Sequence, residues 1–451
     1  MRPLGNDYNR SFFRRSFFIF FIVLGAKLIL LRYLLFHFYQ FTSAIWFDLS
    51  YLAVILAFID LFVRKGRVVL YIAVDLLFSL ICLSFVLYAG YFETLPSYYD
   101  LFQLDQAGTV GGSIILLLSP VYGLFFIDFI GFLFLPLVHK RLSGKSSSWK
   151  ITGAVLAVGL VVIVSDFLVN QHEEIADPAL FAADHGIMNF EVTRFTRNPA
   201  VSVAAEVDFT NQDILRLKGV VPVPTEQHVM FGKAKGKNLI VIQVESLQDF
   251  IIGKKINGQE ITPNLNDLIH ENYYFTNVFQ QIGAGNTSDA EFMANTSYYP
   301  IGDKPTSETI VGTEIPSLPR LLGKVGYWSA TFHTDELTYW NRDEMYPALG
   351  FDQFYEKPYF GNEDVVGHGA SDEVLFNKSL DILLKKQQEE QLFYAHIITV
   401  TSHTPFKMPE DKQMLELPDK YKGTLVGNYF QAQHYTDYAI GKFVKSLKVT
   451  G

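Results

Sequence analysis

The chain has 451 residues, 49% apolar and 15% aromatic, with 40 phenylalanines, a composition that excludes an ordinary soluble domain as the whole molecule. Its formal net charge of −9, with no basic stripe, excludes nucleic acid as a partner. A single cysteine, Cys82, excludes a fold held by disulfides.

The apolar residues crowd into the first 170 positions. Windows long enough to cross a bilayer run over 17–36, 44–63, 68–89, 113–138 and 151–169. A secretory signal followed by core helices accounts for one such window, not five, so the reading is five transmembrane helices. Arg10, Arg14 and Arg15 precede the first window. Arg64, Lys65 and Arg67 lie between the second and third, and Lys140, Arg141, Lys145 and Lys150 between the fourth and fifth. The loop after the third window carries Glu93, Asp100 and Asp105 instead. By the positive-inside rule the N-terminus is cytoplasmic, and an odd number of spans puts everything after Val169 outside the cell. Lys27 and Arg32, in or near the end of the first window, are read as snorkelling to the interface.

Residues 171–237 are mixed and mostly polar, with short helical patches at 179–189 and 211–218 and a helix-breaking Val221-Pro222-Val223-Pro224. This stretch reads as a linker along the membrane surface. From Asn238 onward, apolar strands at 239–244, 327–332 and 392–400 alternate with helices at 263–271, 371–388 and 428–447. Such alternation predicts an α/β domain, a mainly parallel sheet flanked by helices, over 238–451. Ligands gather at the carboxyl ends of such strands, and Glu245, His333 and His403 each follow one.

Glu245 ends a strand, and about forty residues later Gly283-Ala284-Gly285-Asn286-Thr287-Ser288 makes a glycine-loosened turn. Ser288 and Glu291 fit a capping box, which leaves Gly283, Gly285 and Thr287 without a structural explanation. A hydroxyl just before a helix N-terminus suits a phosphate held by free N–H groups, and no lysine precedes the Thr-Ser pair as a P-loop requires. Threonine needs a base or a metal to act as a nucleophile, and a divalent cation on Glu245 meets that need. After the second strand, His333, Trp340 and Arg342 share one loop: Trp340 suits the face of a small polyol and Arg342 a bidentate grip on phosphate. His403 suits a hydrogen bond to a substrate oxygen or a proton relay, while His270 and His396 read as structural.

Five N-terminal spans, an outward α/β domain, Val-Glu245-Ser, Gly-Ala-Gly-Asn-Thr287-Ser, His333 seven residues before Trp340-Asn-Arg342, and Ser-His403-Thr-Pro-Phe together resemble the lipoteichoic acid synthase family. Its members are sulfatase-like proteins of the alkaline phosphatase superfamily in Gram-positive bacteria, and the resemblance runs through essentially the whole chain. It implies a five-helix transmembrane domain followed by an extracellular sulfatase-like domain. It implies Glu245 and Thr287 as metal ligands, Thr287 also as nucleophile, and Mn²⁺ as the metal ahead of Mg²⁺ or Zn²⁺. His333, Trp340, Arg342 and His403 match the pocket for the glycerol phosphate group. The implied reaction moves glycerol phosphate from phosphatidylglycerol, through a threonine-linked intermediate, to a glycolipid anchor or a growing polyglycerolphosphate chain, as a synthase or a primase.

The family completes its metal site with an Asp-His pair on a strand after the long helix. No Asp-His dipeptide follows His403, and Asp184-His185 lies in the linker. The expectation is therefore a C-terminally truncated chain, with weak metal binding and poor turnover. Phosphoethanolamine transfer by the same superfamily is the nearest alternative, and a non-catalytic membrane scaffold is another. A sulfatase is disfavoured, because Thr287 is not a Cys or Ser in a Cys/Ser-x-Pro-x-Arg setting.

Overall fold

The computed structural model describes residues 15–37, 44–63, 65–92, 94–96, 117–132, 149–170, 178–196, 210–217, 219, 221, 224, 227, 230–300 and 304–450. The chain divides into two compact units, Met1–Val207 and Asp208–Gly451.

In the first unit, α1 (Arg15–Phe36), α2 (Ala44–Phe62) and α3 (Arg67–Phe92) are continuous apolar helices. A 3₁₀ stretch, Pro120–Phe126, runs into α4 (Ile127–Phe132), and α5 (Trp149–Asn170) is again long. Among the described residues, four helices are long and apolar enough to cross a membrane. The window expected over 113–138 is described only at 117–132, as the shorter apolar helix Pro120–Gly131; its remaining residues lie outside the described ones. Each long helix buries one stripe and leaves the rest apolar: α1 turns Phe20, Leu24, Leu28 and Leu31 inward and Phe18, Ile22 and Ile29 outward. That is the distribution expected when the surrounding solvent is hydrocarbon. α2 and α5 approach closely at Gly159, where an added Cβ would lie 2.6 Å from a Val54 methyl.

Lys27 does not snorkel. It is 5% exposed, and its ammonium donates to Asp75 at 2.6 Å and Ser79 at 2.8 Å and pairs with Asp128 at 2.8 Å. A charge held in an apolar bundle is stabilised more by a carboxylate one helix away than by stretching to a distant interface. Arg32 is buried as well, pairing with Asp48 at 3.2 Å and donating to the carbonyls of Ala182 and Ala183. Those carbonyls belong to α6 (Pro178–His185), and Asp48 also accepts from the backbone N–H groups of Ile187 and Met188, which open α7 (Ile187–Thr196). Residues 178–196 therefore fold onto the first unit, with Phe181, Ile187 and Phe190 in its core, where the sequence suggested a linker.

In the second unit, a short α8 (Asn211–Leu217) precedes β1 (Leu239–Gln243), the hairpin β2 (Lys255–Ile256)–β3 (Gln259–Glu260), and α9 (Pro263–Glu271). Next come α10 (Asn286–Thr296), α11 (Thr306–Thr309), α12 (Leu318–Gly323) and β4 (Trp328–His333). Then follow α13 (Arg342–Leu349), β5 (Gln353–Tyr355), α14 (Lys357–Phe360) and the hairpin β6 (Val365–Val366)–β7 (Gly369–Ala370). The last elements are α15 (Asp372–Gln388), β8 (Phe393–Ile398) and α16 (Leu425–Thr450). β1, β8, β4 and β5 form one parallel sheet in that order. β8 is buried at every position, as a central strand covered on both faces must be. Phe393, Ala395 and Ile397 face Leu375, Phe376, Ile440 and Phe443 of α15 and α16. Tyr394 faces Phe292 of α10 and Met345 and Leu349 of α13. The expected strands and helices of this unit agree with the observed ones to within about three residues; the helices α11 to α14, the short β5 and both hairpins were not foreseen.

Candidate functional site

The carboxyl edge of this sheet gathers the residues singled out from sequence. β1 ends at Gln243, whose side chain donates to the Thr287 carbonyl at 3.1 Å; this accounts for a polar residue in an otherwise apolar strand. Glu245 follows, its backbone clamped by the loop after β8 and by α16: its N–H donates to Thr399 Oγ1 at 2.9 Å, and its carbonyl accepts from Ser402 Oγ at 2.7 Å and from Gln433 of α16 at 3.1 Å. The Glu245 side chain accepts from Ser246 Oγ and, at Oε2, from Thr287 Oγ1 at 3.1 Å. Two residues 42 positions apart thus present adjacent oxygens, both half-buried.

Thr287 is placed by the turn before α10. The Asp289 carboxylate accepts from the N–H groups of Gly283 and Gly285, both at 3.0 Å, and from Thr306 N–H at 2.9 Å. A Cβ at Gly285 would lie 2.5 Å from Asp289 Oδ1, so the turn closes only around glycine. The expected capping box does not form. Gly285, not Ser288, is the N-cap residue; the Ser288 hydroxyl donates back to the Gly285 carbonyl at 2.9 Å, and Glu291 points into the core.

Glu291 is fully buried and takes the fork of Arg342, accepting from Nε at 2.9 Å and Nη2 at 2.8 Å, while Tyr346 donates to its other oxygen at 2.6 Å. Arg342 Nη1 donates to the Tyr339 carbonyl. The bidentate grip that the sequence assigned to a phosphate is thus made on Glu291, because a guanidinium 1% exposed needs a carboxylate beside it. Burial works to raise the Glu291 pKa, but Arg342 overrides it and holds the carboxyl below its ordinary value.

His333 ends β4 and sits nearly buried, its Nδ1 3.0 Å from the Ile398 carbonyl. A carbonyl only accepts, so Nδ1 carries the proton and Nε2 keeps its lone pair. Burial and then Arg342 depress the His333 pKa, favouring the neutral ring. Trp340 is 8% exposed and, like Asn341, has positive φ; Asn341 anchors the loop by donating to the Ser307 carbonyl at 3.0 Å. His403 is half-buried, with Nδ1 2.8 Å from the Thr404 carbonyl. Glu245, His333 and His403 all attach to the end of β8 or the loop after it, and Thr287 joins them through Glu245. Trp340 and Arg342 are buried in the segment after β4.

Three features escaped the sequence reading. Asp289 was hidden by the capping-box pattern, Thr399 and Ser402 are ordinary loop hydroxyls until β8 meets β1, and His368 packs against His403 with ring centroids 4.5 Å apart.

The Glu245–Thr287 pair fits a divalent cation that prefers oxygen. Neighbouring ligands about 2.1 Å from an octahedral ion lie about 3 Å apart, as these two oxygens do. Among the described residues no group of three or more His, Cys, Asp or Glu side chains forms a metal-binding cluster.

Comparisons with known proteins point one way. Residues 1–187 match the lipoteichoic acid synthase N-terminal domain and residues 237–451 the sulfatase domain. The chain is 34% identical over 392 residues to lipoteichoic acid synthase 2 of Bacillus subtilis (strain 168), covering 82% of this chain and 59% of that protein. It is 33% identical over 395 residues to the lipoteichoic acid synthase of Staphylococcus aureus (strain NCTC 8325 / PS 47), with the same coverage. Among solved structures, the lipoteichoic acid synthase LtaP from Listeria monocytogenes matches with 47% identity and a TM-score of 0.53, over 54% of this chain and 59% of that one. The chain spans about 59% of the length of these curated relatives.

Proposed function

The chain belongs to the lipoteichoic acid synthase family, and from that premise we propose that it transfers glycerol phosphate from phosphatidylglycerol to a glycolipid anchor or a growing polyglycerolphosphate chain. The observation that carries this reading is the 3.1 Å contact between Thr287 Oγ1 and Glu245 Oε2 at the carboxyl edge of a parallel sheet. Thr287 Oγ gives up its proton as it bonds to phosphorus, the bond to diacylglycerol breaks with its electrons on the leaving oxygen, which takes up a proton, and the glycerophosphoryl group stays on Thr287. An acceptor hydroxyl then displaces Thr287 and carries the group away. Glu245 and Thr287 would hold the divalent cation, Mn²⁺ by preference, which when bound lowers the pKa of the threonine hydroxyl and polarises a phosphoryl oxygen.

The pocket residues take distinct parts. His333, neutral with a free Nε2, accepts from a glycerol hydroxyl; His403 serves the acceptor side; Trp340 backs the glyceryl unit. Arg342, tied to Glu291, acts from behind as a fixed positive charge that steers the phosphate. The first unit anchors the chain in the cell membrane by five spans, with the N-terminus inside and the sheet domain at the outer face beside its lipid substrate.

The test is to incubate the protein in phosphatidylglycerol liposomes with Mn²⁺ and seek glycerophosphate on the Thr287 peptide by mass spectrometry, together with released diacylglycerol. Thr287→Ala is expected to lose both by on the order of 10³-fold or more. Diacylglycerol released from phosphatidylethanolamine instead would shift the donor to phosphoethanolamine. No adduct with either lipid would sink the enzymatic reading.

A further inference from the structure

The β6–β7 hairpin has no part in the reaction above, yet it is wedged against the pocket. A Cβ at Gly369 would lie 2.3 Å from the Thr334 carbonyl oxygen, and Thr334 Oγ1 donates to the Ala370 carbonyl at 2.9 Å, so the hairpin is locked to the residue following His333. Val366 pairs with Gly369 across a two-residue turn, and Gly367 takes φ +70° at its first position, the place where such turns favour glycine. The second turn residue is His368. Its ring meets the His403 ring edge to face, with centroids 4.5 Å apart and planes at 70°. His403 Nδ1 lies 2.8 Å from the Thr404 carbonyl. Because that carbonyl only accepts, neutral His403 has its proton on Nδ1 and a lone pair on Nε2.

We propose that His368 is a positioning residue for transfer to the acceptor, its ring packed edge to face against His403 so that the His403 imidazole is fixed for its part in that transfer. The proposal rests on the transferase reading above. In the second half of that reaction the acceptor O–H bond breaks as its oxygen bonds to phosphorus. The proton passes to the lone pair of His403 Nε2, and the Thr287 Oγ–P bond breaks with its electrons on Oγ. The imidazolium then releases its proton and Thr287 Oγ takes one up, which restores both groups. Two imidazolium charges at this separation would repel each other. Burial and then His403 depress the His368 pKa. Asp335, from the loop after β4, works against them, and Lys357, from α14, works with them.

The experiment uses the full chain with ring-labelled histidine in lipid nanodiscs, following each imidazole by NMR from pH 4 to 9. In His403→Asn the His368 midpoint is expected to rise by about half a unit or more. An unmoved midpoint would overturn the pair. Transfer to a glycolipid acceptor supplies the second readout. His368→Asn and His403→Asn should each slow it at least about tenfold, with the double variant no slower than the worse single one. Additive losses would overturn the proposal. His368→Phe, which keeps an aromatic ring but cannot hold a proton, should restore transfer; failure to restore it would overturn positioning by the packed ring. The titration needs no turnover, so coupled rings in a protein that forms no Thr287 adduct would reject the transferase reading and leave the pair standing.

Discussion

Glu291 shows how far one side chain can depart from its local pattern. Four residues after Thr287 it completes a capping-box spacing, yet it is the buried anion on which Arg342 and Tyr346 converge. Replacing it with glutamine leaves the guanidinium without a counter-charge, and we expect Glu291→Gln to cost about 3–5 kcal/mol near neutral pH. The pH dependence follows from the direction of its shift. With the folded pKa below the ordinary 4.5, the stabilisation is present above that value and lost as pH falls through the folded pKa. Native and variant unfolding curves should therefore converge in acid. His396, buried beneath the same network and depressed from 6.5 to about 4, adds to the acid loss. A buried neutral imidazole stabilises fully above its unfolded pKa and loses that contribution as pH drops from about 6.5 towards 4, a change of about 3 kcal/mol. Thermal unfolding between about pH 4 and 8 checks the His396 loss, and extending it down to about pH 2 checks that of Glu291; a flat profile over the whole range would contradict both.

At the scale of elements, the turn into α10 is the most sensitive segment. Gly285 has an ordinary negative φ, so its requirement is for space and not for a left-handed backbone. We expect Gly285→Ala to push Asp289 off the two N–H groups it holds, to cost about 1–3 kcal/mol, and to lower Thr287 adduct formation at least tenfold. Adduct yield measured beside the melting temperature separates the two effects, and a variant with full activity would show that the turn has slack. α15 and α16 are tied to the sheet by a different device. Asp372 accepts from Val400 and Thr401 N–H groups and from Thr436 Oγ1, joining a helix start, the loop after β8 and the long helix at one carboxylate. That junction sets the path of the loop whose Thr399 and Ser402 hold Glu245.

Over the whole molecule, the first unit is organised by paired charges inside an apolar bundle. Lys27→Met removes the ammonium between Asp75 and Asp128 and leaves two carboxylates facing each other without a counter-charge. We expect a loss of about 3–5 kcal/mol, read as a lower melting temperature in detergent, with Asp75→Asn in the same chain recovering part of it. A snorkelling lysine would instead tolerate methionine. Orientation is checked with the Cys82→Ala chain carrying single reporter cysteines at Ser147 or Asp208. Membrane-impermeant maleimide should label position 208 in intact cells and leave position 147 unlabelled; the reverse pattern would invert the topology.

Hydropathy and charge in the sequence were enough to read the apolar helices and the βα alternation, because helix length, residue period and strand composition are local properties. Strand-end and glycine-turn patterns made Glu245 and Thr287 candidates, because those settings are written in neighbouring residues. Such patterns could not tell that Glu291 anchors Arg342, that Lys27 meets Asp75 and Asp128, or that 178–196 folds onto the spans, because each depends on residues brought together from distant positions. A buried charge takes whichever partner the packing supplies, and only the tertiary structure decided which one that was.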